Sequence, residues 1–190
     1  MKRTVITLAA AAALLLFGAC KSNKNVVTQQ EMGNREVELP CAGAGQDSKD
    51  YFGGMGVAEN VNMQNARLAA IDAAKSMINA KLGGLARGLA TDYVRSQAGG
   101  AQLDDVQRLA EREIVTVVNR MLDDAEQTCE KLYQTPSGTY QSHIAIRISK
   151  KELAQKMASS LSDNQKLEGM FHRDLFRKWA EEYMENYRVL

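Results

Sequence analysis

The sequence predicts an α+β chain, and three observations lead there. Thr139–Ser149 alternates apolar and polar residues, and Tyr51–Glu59 sets aromatic and β-branched residues at strand positions among glycines. The long segments between and after them repeat apolar residues every three or four positions. A period of two belongs to a strand and a period near 3.6 to a helix. Only two prolines, Pro40 and Pro136, interrupt the 190 residues, which fits helices with few breaks.

Taken in order, Val37–Cys41 is a short β-prone piece stopped by Pro40, and Ala42–Asp50 reads as loop. Tyr51–Glu59, YFGGMGVAE, is a strand whose glycines point to a bulge or to a helix lying close against the backbone. Asn60 or Asn62 is placed to cap the helix that follows. In that helix Ala66, Ala70, Ala73, Met77, Ala80 and Gly84 form a face of small side chains able to lie close on a sheet. Leu68, Ile71, Ile78, Leu82, Leu85 and Leu89 widen its apolar surface. Gly83-Gly84 is expected to kink it, and Gly99-Gly100 to end the helical region. A second amphipathic stretch puts Val106, Leu109, Ala110, Ile114, Val117, Val118 and Met121 on one side.

Then the period changes. Glu126–Gln134 is strand-like, and Tyr140, Ser142, Ile144, Ile146 and Ile148 alternate with Gln141, His143, Ala145 and Arg147. Between them Thr135-Pro-Ser-Gly138 has proline to start a turn and glycine to close it, so the segment reads as a β-hairpin. Ser149-Lys-Lys-Glu152 is a capping box that opens a helix over about 150–160. Ser162-Asp-Asn-Gln165 repeats the device and is expected to open a last helix reaching nearly to Arg188. Its stripe of Phe176, Trp179, Ala180, Tyr183 and Tyr187 has two readings. It packs the helix onto the domain, or Phe176, Trp179, Tyr183 and Tyr187 stay exposed as a partner or lipid-surface helix. The mixed-sign polar side, with Arg177, Lys178, Glu181, Glu182 and Glu185, weakens the lipid version.

The N-terminus carries a different kind of information. Lys2 and Arg3 precede an almost wholly apolar run from Val5 to Phe17, and Gly18-Ala19 stands before Cys20. That is a secretory signal, too short to span a membrane. Its cysteine resembles the lipobox of bacterial lipoproteins, in which a peptidase cuts before a cysteine that receives a diacylglycerol and an acylated amine. Phe17 departs from the usual Leu, Val or Ile, with Leu16 beside it. The resemblance implies a signal peptide over 1–19, lipidation by a fatty acid such as palmitate at Cys20, and a polar tether over 20–36. The α+β domain would occupy 37–161 and the C-terminal amphipathic helix 162–190. Lys21-Ser-Asn-Lys24 lacks both the acidic surface-export signal and the aspartate of inner-membrane retention. The expected place is therefore the outer membrane, its periplasmic side favoured over the cell surface.

Charge and cysteines bound the partners. Formal net charge is +1, and loss of Lys2 and Arg3 turns it to −1, so no basic surface for nucleic acid is expected. With Cys20 assigned to lipid, Cys41 and Cys129 remain as a pair that an oxidising compartment would bridge. Such a bridge stabilises by roughly 4 kcal/mol in the chain-entropy model; the alternative is two buried thiols. Two cysteines and the distant His143 and His172 lack metal-ligand spacing, so no metal is expected. Gly54-Met-Gly56-Val-Ala-Glu59 lacks the third glycine and acidic partner of a dinucleotide site and reads as structural. His143 falls on the hairpin face opposite the isoleucines, with an ordinary surface or partly covered histidine as the default. No cofactor and no catalytic residue is assigned.

The assembled order, with YFGGMGVAEN and the Ala66/Ala70/Ala73 helix, resembles the lipoprotein-twenty family of exported bacterial proteins. Relatives of that family include the N-terminal domain of the flagellar assembly protein T. The matching pattern is Gly54–Ala58, the alanine-spaced helix and the hairpin through Ile148, across roughly Phe52–Leu161. The resemblance implies a βαββα domain with helices on one face of a small antiparallel sheet, and no active site. The leading expectation is an envelope-anchored, non-enzymatic interaction or scaffolding module, with an envelope protein or a second copy as partner. A second is a small-ligand or lipid-binding protein using a cleft between helix and sheet lined by Met77, Leu82 and Ile146. A third, an envelope hydrolase, would need converging polar groups in a cleft.

Overall fold

The computed structural model describes residues 38–97, 103–167 and 169–187. The signal over 1–19, Cys20, the tether over 20–36 and the Gly99-Gly100 break lie outside the described residues. Strand β1 (Tyr51–Asn60) leads into helix α1 (Met63–Gln97) and helix α2 (Asp104–Asp123). Strands β2 (Glu126–Gln134) and β3 (Tyr140–Ser149) form the hairpin, followed by α3 (Lys150–Asp163) and α4 (Arg173–Asn186). The three strands make an antiparallel sheet in the order β1-β3-β2, so the fold is α+β. Helix α2 stands between α1 and the hairpin, an addition to the βαββα order.

Local chemistry starts and stops these elements. The Asn62 side chain accepts from the Asn65 N–H at 3.1 Å and caps α1, while Asn60 turns the chain by accepting from the Asn62 N–H at 2.9 Å. The hairpin turn closes with the Gly138 N–H on the Thr135 carbonyl at 2.9 Å, and Gly138 has φ +85°, where a side chain would strain. Ser149 caps α3 through the Glu152 N–H at 3.3 Å. That helix runs on to Asp163 instead of stopping near 160. Ser162-Asp-Asn-Gln165 therefore starts no helix: the Ser162 hydroxyl bonds back to the Ser159 carbonyl, and Asn164 accepts from the Lys166 N–H in a turn. Helix α4 begins at Arg173, with His172 at its cap position.

Helix α1 returns along β1 and covers the sheet face made by Phe52, Gly54, Gly56, Ile144, Ile146 and Ile148. A β-carbon on Gly54 would strike the Ala74 carbonyl, and one on Gly56 the Ala70 carbonyl. The face that meets the strand is Ala66, Ala70, Ala74, Ile78 and Leu82, all fully buried. That corrects the expected ridge, since Ala73, Met77, Ala80 and Gly84 are exposed. Spacing by four keeps one row of side chains on the strand, and the drift by three at Ala73 leaves that row.

At about 1.5 Å per residue, the 35 residues of α1 far outreach a ten-residue strand. Its second half, with Leu85, Ala86, Leu89, Ala90, Tyr93 and Val94 buried, joins α2, α3 and α4 in the same core. Gly83-Gly84 does not interrupt the helix, which runs unbroken through both. Gly84 and Gly88 serve another purpose. A β-carbon on Gly84 would lie 2.9 Å from the Tyr187 hydroxyl, and one on Gly88 would strike the Tyr183 hydroxyl.

The second face of the sheet is covered as well. Residues 38–48 cross it as a strap containing a short 3-10 turn at Gly43–Gly45, which touches all three strands. Residues 42–50 are loop apart from that turn, as their composition implies, and the loop is seated closely on Gly53. A β-carbon there would fall 2.5 Å from the Gln46 carbonyl and 2.7 Å from that of Gly45.

Candidate functional site

The groups that the fold draws together lie under and around the strap. Cys41 and Cys129 are bridged, with α-carbons 5.6 Å apart, and the bridge ties the strap to β2. Cys129 stands opposite Ala145 in the register, just past an irregularity at Thr128. The Thr128 hydroxyl reaches the Ala44 carbonyl in the strap and the Ala145 carbonyl in β3, each at 3.3 Å. Both cysteines remain partly exposed.

His143 is 5% exposed, which corrects its reading as a surface residue. The Tyr133 ring meets it edge-on at 5.6 Å, and the Cys41 sulfur lies 3.6 Å from its carbonyl. Its Nε2 pairs with Gln141 Oε1 at 3.1 Å, so the imidazole donates there; buried Nδ1 is left without a partner. The Ser142 hydroxyl, on the opposite face of β3, is also buried and unpaired. No carboxylate or nucleophile completes a catalytic arrangement with His143 among these contacts. His172 is exposed at the head of α4 and stands far along the chain from this cluster.

The free edge of β1 is capped by side chains. Asp47 Oδ1 accepts from the Gly53 N–H at 2.9 Å, and Lys81 Nζ donates to the Gly53 carbonyl at 2.8 Å. Lys81 also reaches Asp47 at 2.8 Å, so one ammonium joins helix, strand and strap. Ser48 accepts from the Tyr51 N–H through its hydroxyl and returns its own N–H to the Tyr51 carbonyl. Met77 Sδ accepts from the Met55 N–H at 3.4 Å. Five of these contacts occupy backbone groups of Tyr51, Gly53 and Met55 that an edge strand otherwise presents to solvent.

Two bidentate ion pairs fasten β2. Arg67 on α1 clasps Glu130, and Arg147 on β3 grips Glu126 at 2.9 Å through both oxygens. The hydrogen bond from Arg67 holds the Glu130 carboxyl below its ordinary range, against a smaller desolvation. The Arg147 hydrogen bond does the same for Glu126. Sequence reading paired none of these residues; Arg67 and Glu130 are 63 positions apart and nothing local marks them as partners.

The aromatic stripe of α4 turns inward. Phe176 is fully buried, so it is no partner surface; its ring meets Tyr93 at 4.9 Å and Phe171 at 5.6 Å. Trp179, Tyr183 and Tyr187 are partly covered and pack against the same core. The reason is the row of small residues on α1, where Gly84 and Gly88 make room for the two tyrosines. The cleft offered to a ligand is closed at its centre: Leu82 and Ile146 are core residues, and Met77 lies outside.

A groove of about 580 Å³ does open elsewhere, between α2 and α3, lined by Val117, Arg120, Asp124, Glu152, Lys156 and Ser160. Its charges are of both signs and partly spent, since Lys156 pairs with Glu152 at 2.9 Å and Ser160 donates to Glu113 at 3.0 Å. No group of three or more His, Cys, Asp or Glu among the described residues is placed to hold a metal ion. No helix among them is long and apolar enough to cross a membrane. Comparison with protein-family models, with characterised proteins and with solved structures gives no match to this chain.

Proposed function

We propose that the chain is an envelope-anchored lipoprotein whose folded domain is a non-enzymatic interaction or scaffolding module. In this reading a lipid on Cys20 holds it at the outer membrane, on the periplasmic side, and the domain belongs with the lipoprotein-twenty family. The observation that carries the reading is the Cys41–Cys129 bridge, which fits an oxidising compartment. The charged and apolar signal pattern that ends at Cys20 points the same way. With net charge near zero, the anchor rather than a basic surface would supply membrane attachment.

The interaction role is supported by β2. It is the outer strand, exposed along most of its length, with Leu132 and Tyr133 open to solvent. Its far side has no strand partner among the described residues, so a strand from an envelope protein or a second copy can extend the sheet there.

The anchor is tested with Cys20→Ala, which should abolish incorporation of labelled palmitate and release the protein from the membrane fraction. Continued labelling would overturn the assignment. The edge is tested by cross-linking in intact envelopes with Leu132→Lys and Tyr133→Lys together. Loss of cross-linked species at unchanged melting temperature supports it, and their persistence removes β2 as the contact.

A further inference from the structure

We propose that residues 38–48 are a redox-latched strap: the Cys41–Cys129 bridge keeps the Tyr51–Gly53 end of the β1 edge closed, and its reduction opens that end. The strap contributes no side chain to the hydrophobic core cluster, whose members begin at Phe52. What fastens it is the bridge together with polar contacts: Asp47 on Gly53 and Lys81, Ser48 on Tyr51, and Thr128 on Ala44. Removing it would leave the helical core packed, yet uncover Gly53 and strip the caps from the Tyr51 and Gly53 backbone. Cys41 itself sits at φ +65°, a left-handed backbone that a non-glycine residue rarely adopts. Its position is thus imposed by what holds it, and the bridge is the covalent part of that hold.

The chemistry is thiol–disulfide exchange with a dithiol reductant, which the partial exposure of both cysteines allows. A thiolate of the reductant attacks one sulfur and forms a mixed disulfide, expelling the other cysteine as a thiolate that takes up a proton. The reductant's second thiol then resolves the mixed disulfide. The reductant leaves oxidised, and Cys41 and Cys129 remain as two thiols. In the reduced state the N–H of Gly53 and both backbone groups of Tyr51 depend on Asp47 and Ser48 alone. An edge released from them is a template for strand addition.

The experiment is hydrogen exchange on the full chain, oxidised against reduced with dithiothreitol, and on a Cys41→Ser/Cys129→Ser variant. The readout is the ratio of exchange rates at Tyr51 and Gly53 to those at Ile144 and Ile146 in the central strand. Reduction should raise that ratio at least tenfold, and the serine variant should match the reduced protein. Adding Asp47→Ala to the serine variant should raise it further. An equal rise at edge and centre would make the bridge a staple of the whole fold and overturn the latch. No rise at the edge would overturn it too, since polar contacts would then suffice.

Discussion

Gly56 lies so close to Ala70 that a β-carbon on it would overlap the helix carbonyl. The seam between β1 and α1 is therefore a contact of backbone on backbone. Gly56→Ala must push α1 off the sheet and should cost about 3 kcal/mol or more, at the upper end of overpacking. Gly83 offers the control, because nothing lies within 4 Å of a β-carbon there and its backbone is helical. Gly83→Ala should stabilise by about 0.5–1 kcal/mol through helix propensity. Urea denaturation of the two variants measures both, and a neutral Gly56→Ala would contradict the seam.

Helix α4 belongs to the core, and its loss should show it. Phe176 is fully buried against Tyr93 and Phe171, so Phe176→Ala should cost about 3–5 kcal/mol. Deleting Asp174–Leu190 should abolish cooperative melting; a domain that still melts in one sharp transition would make the helix an appendage. Tyr93 behaves differently. Burial pushes its hydroxyl above the usual tyrosine range, the nearby His172 backbone offsets this only in part, and no well-formed hydrogen bond satisfies it. Tyr93→Phe removes that group and keeps the ring, so stability should change by less than about 1 kcal/mol, in the stabilising direction.

These contrasts show what the sequence could carry. The hairpin was legible because period-two alternation and a proline–glycine turn are local signals, and Glu126–Gln134 and Tyr140–Ser149 are its strands. The cap at Asn62 was legible for the same reason. The phase of α1 was not: alanines stand at Ala66, Ala69, Ala70, Ala73, Ala74 and Ala80, so several faces look equally small. Only the glycines of β1 select the row through Ala70 and Ala74. Gly84 and Gly88 were opaque as well, since their purpose lies in Tyr187 and Tyr183, about a hundred residues on. The two cysteines were readable as a pair, but the strap they hold was not. Its residues are loop-like, and its seat depends on Gly53 and Lys81.

Acid should weaken the β2 clasps in a defined window. The Glu130 carboxyl, hydrogen-bonded by Arg67, titrates below its ordinary value in the folded chain. A depressed folded value means its contribution is complete above the unfolded carboxylate range, near pH 4.3, and fades as pH falls through the folded one. The wild type should therefore melt above Glu130→Gln at pH 6, and the gap should narrow as pH falls from the unfolded carboxylate range through the lower folded value. With both side chains partly exposed, the difference should stay under about 1 kcal/mol. Melting curves across that range decide it, and a gap that widens with acid would reverse the assignment.

Lys81 binds helix, strand and strap together. Its ammonium donates to the Gly53 carbonyl and to Asp47, each at 2.8 Å, and it is the more buried partner of that pair. Lys81→Met keeps the stem packed but leaves a carbonyl and a carboxylate without their donor. Hydrogen bonds to a charged group contribute more than neutral ones, so the loss should be about 1.5–3 kcal/mol. Most of that belongs to the carbonyl rather than the ion pair, because Asp47 is exposed enough for solvent to replace its partner. A double-mutant cycle with Asp47→Ala should therefore give a coupling below about 1 kcal/mol. A coupling as large as the full Lys81→Met loss would place the energy in the ion pair and leave the Gly53 bond with little weight.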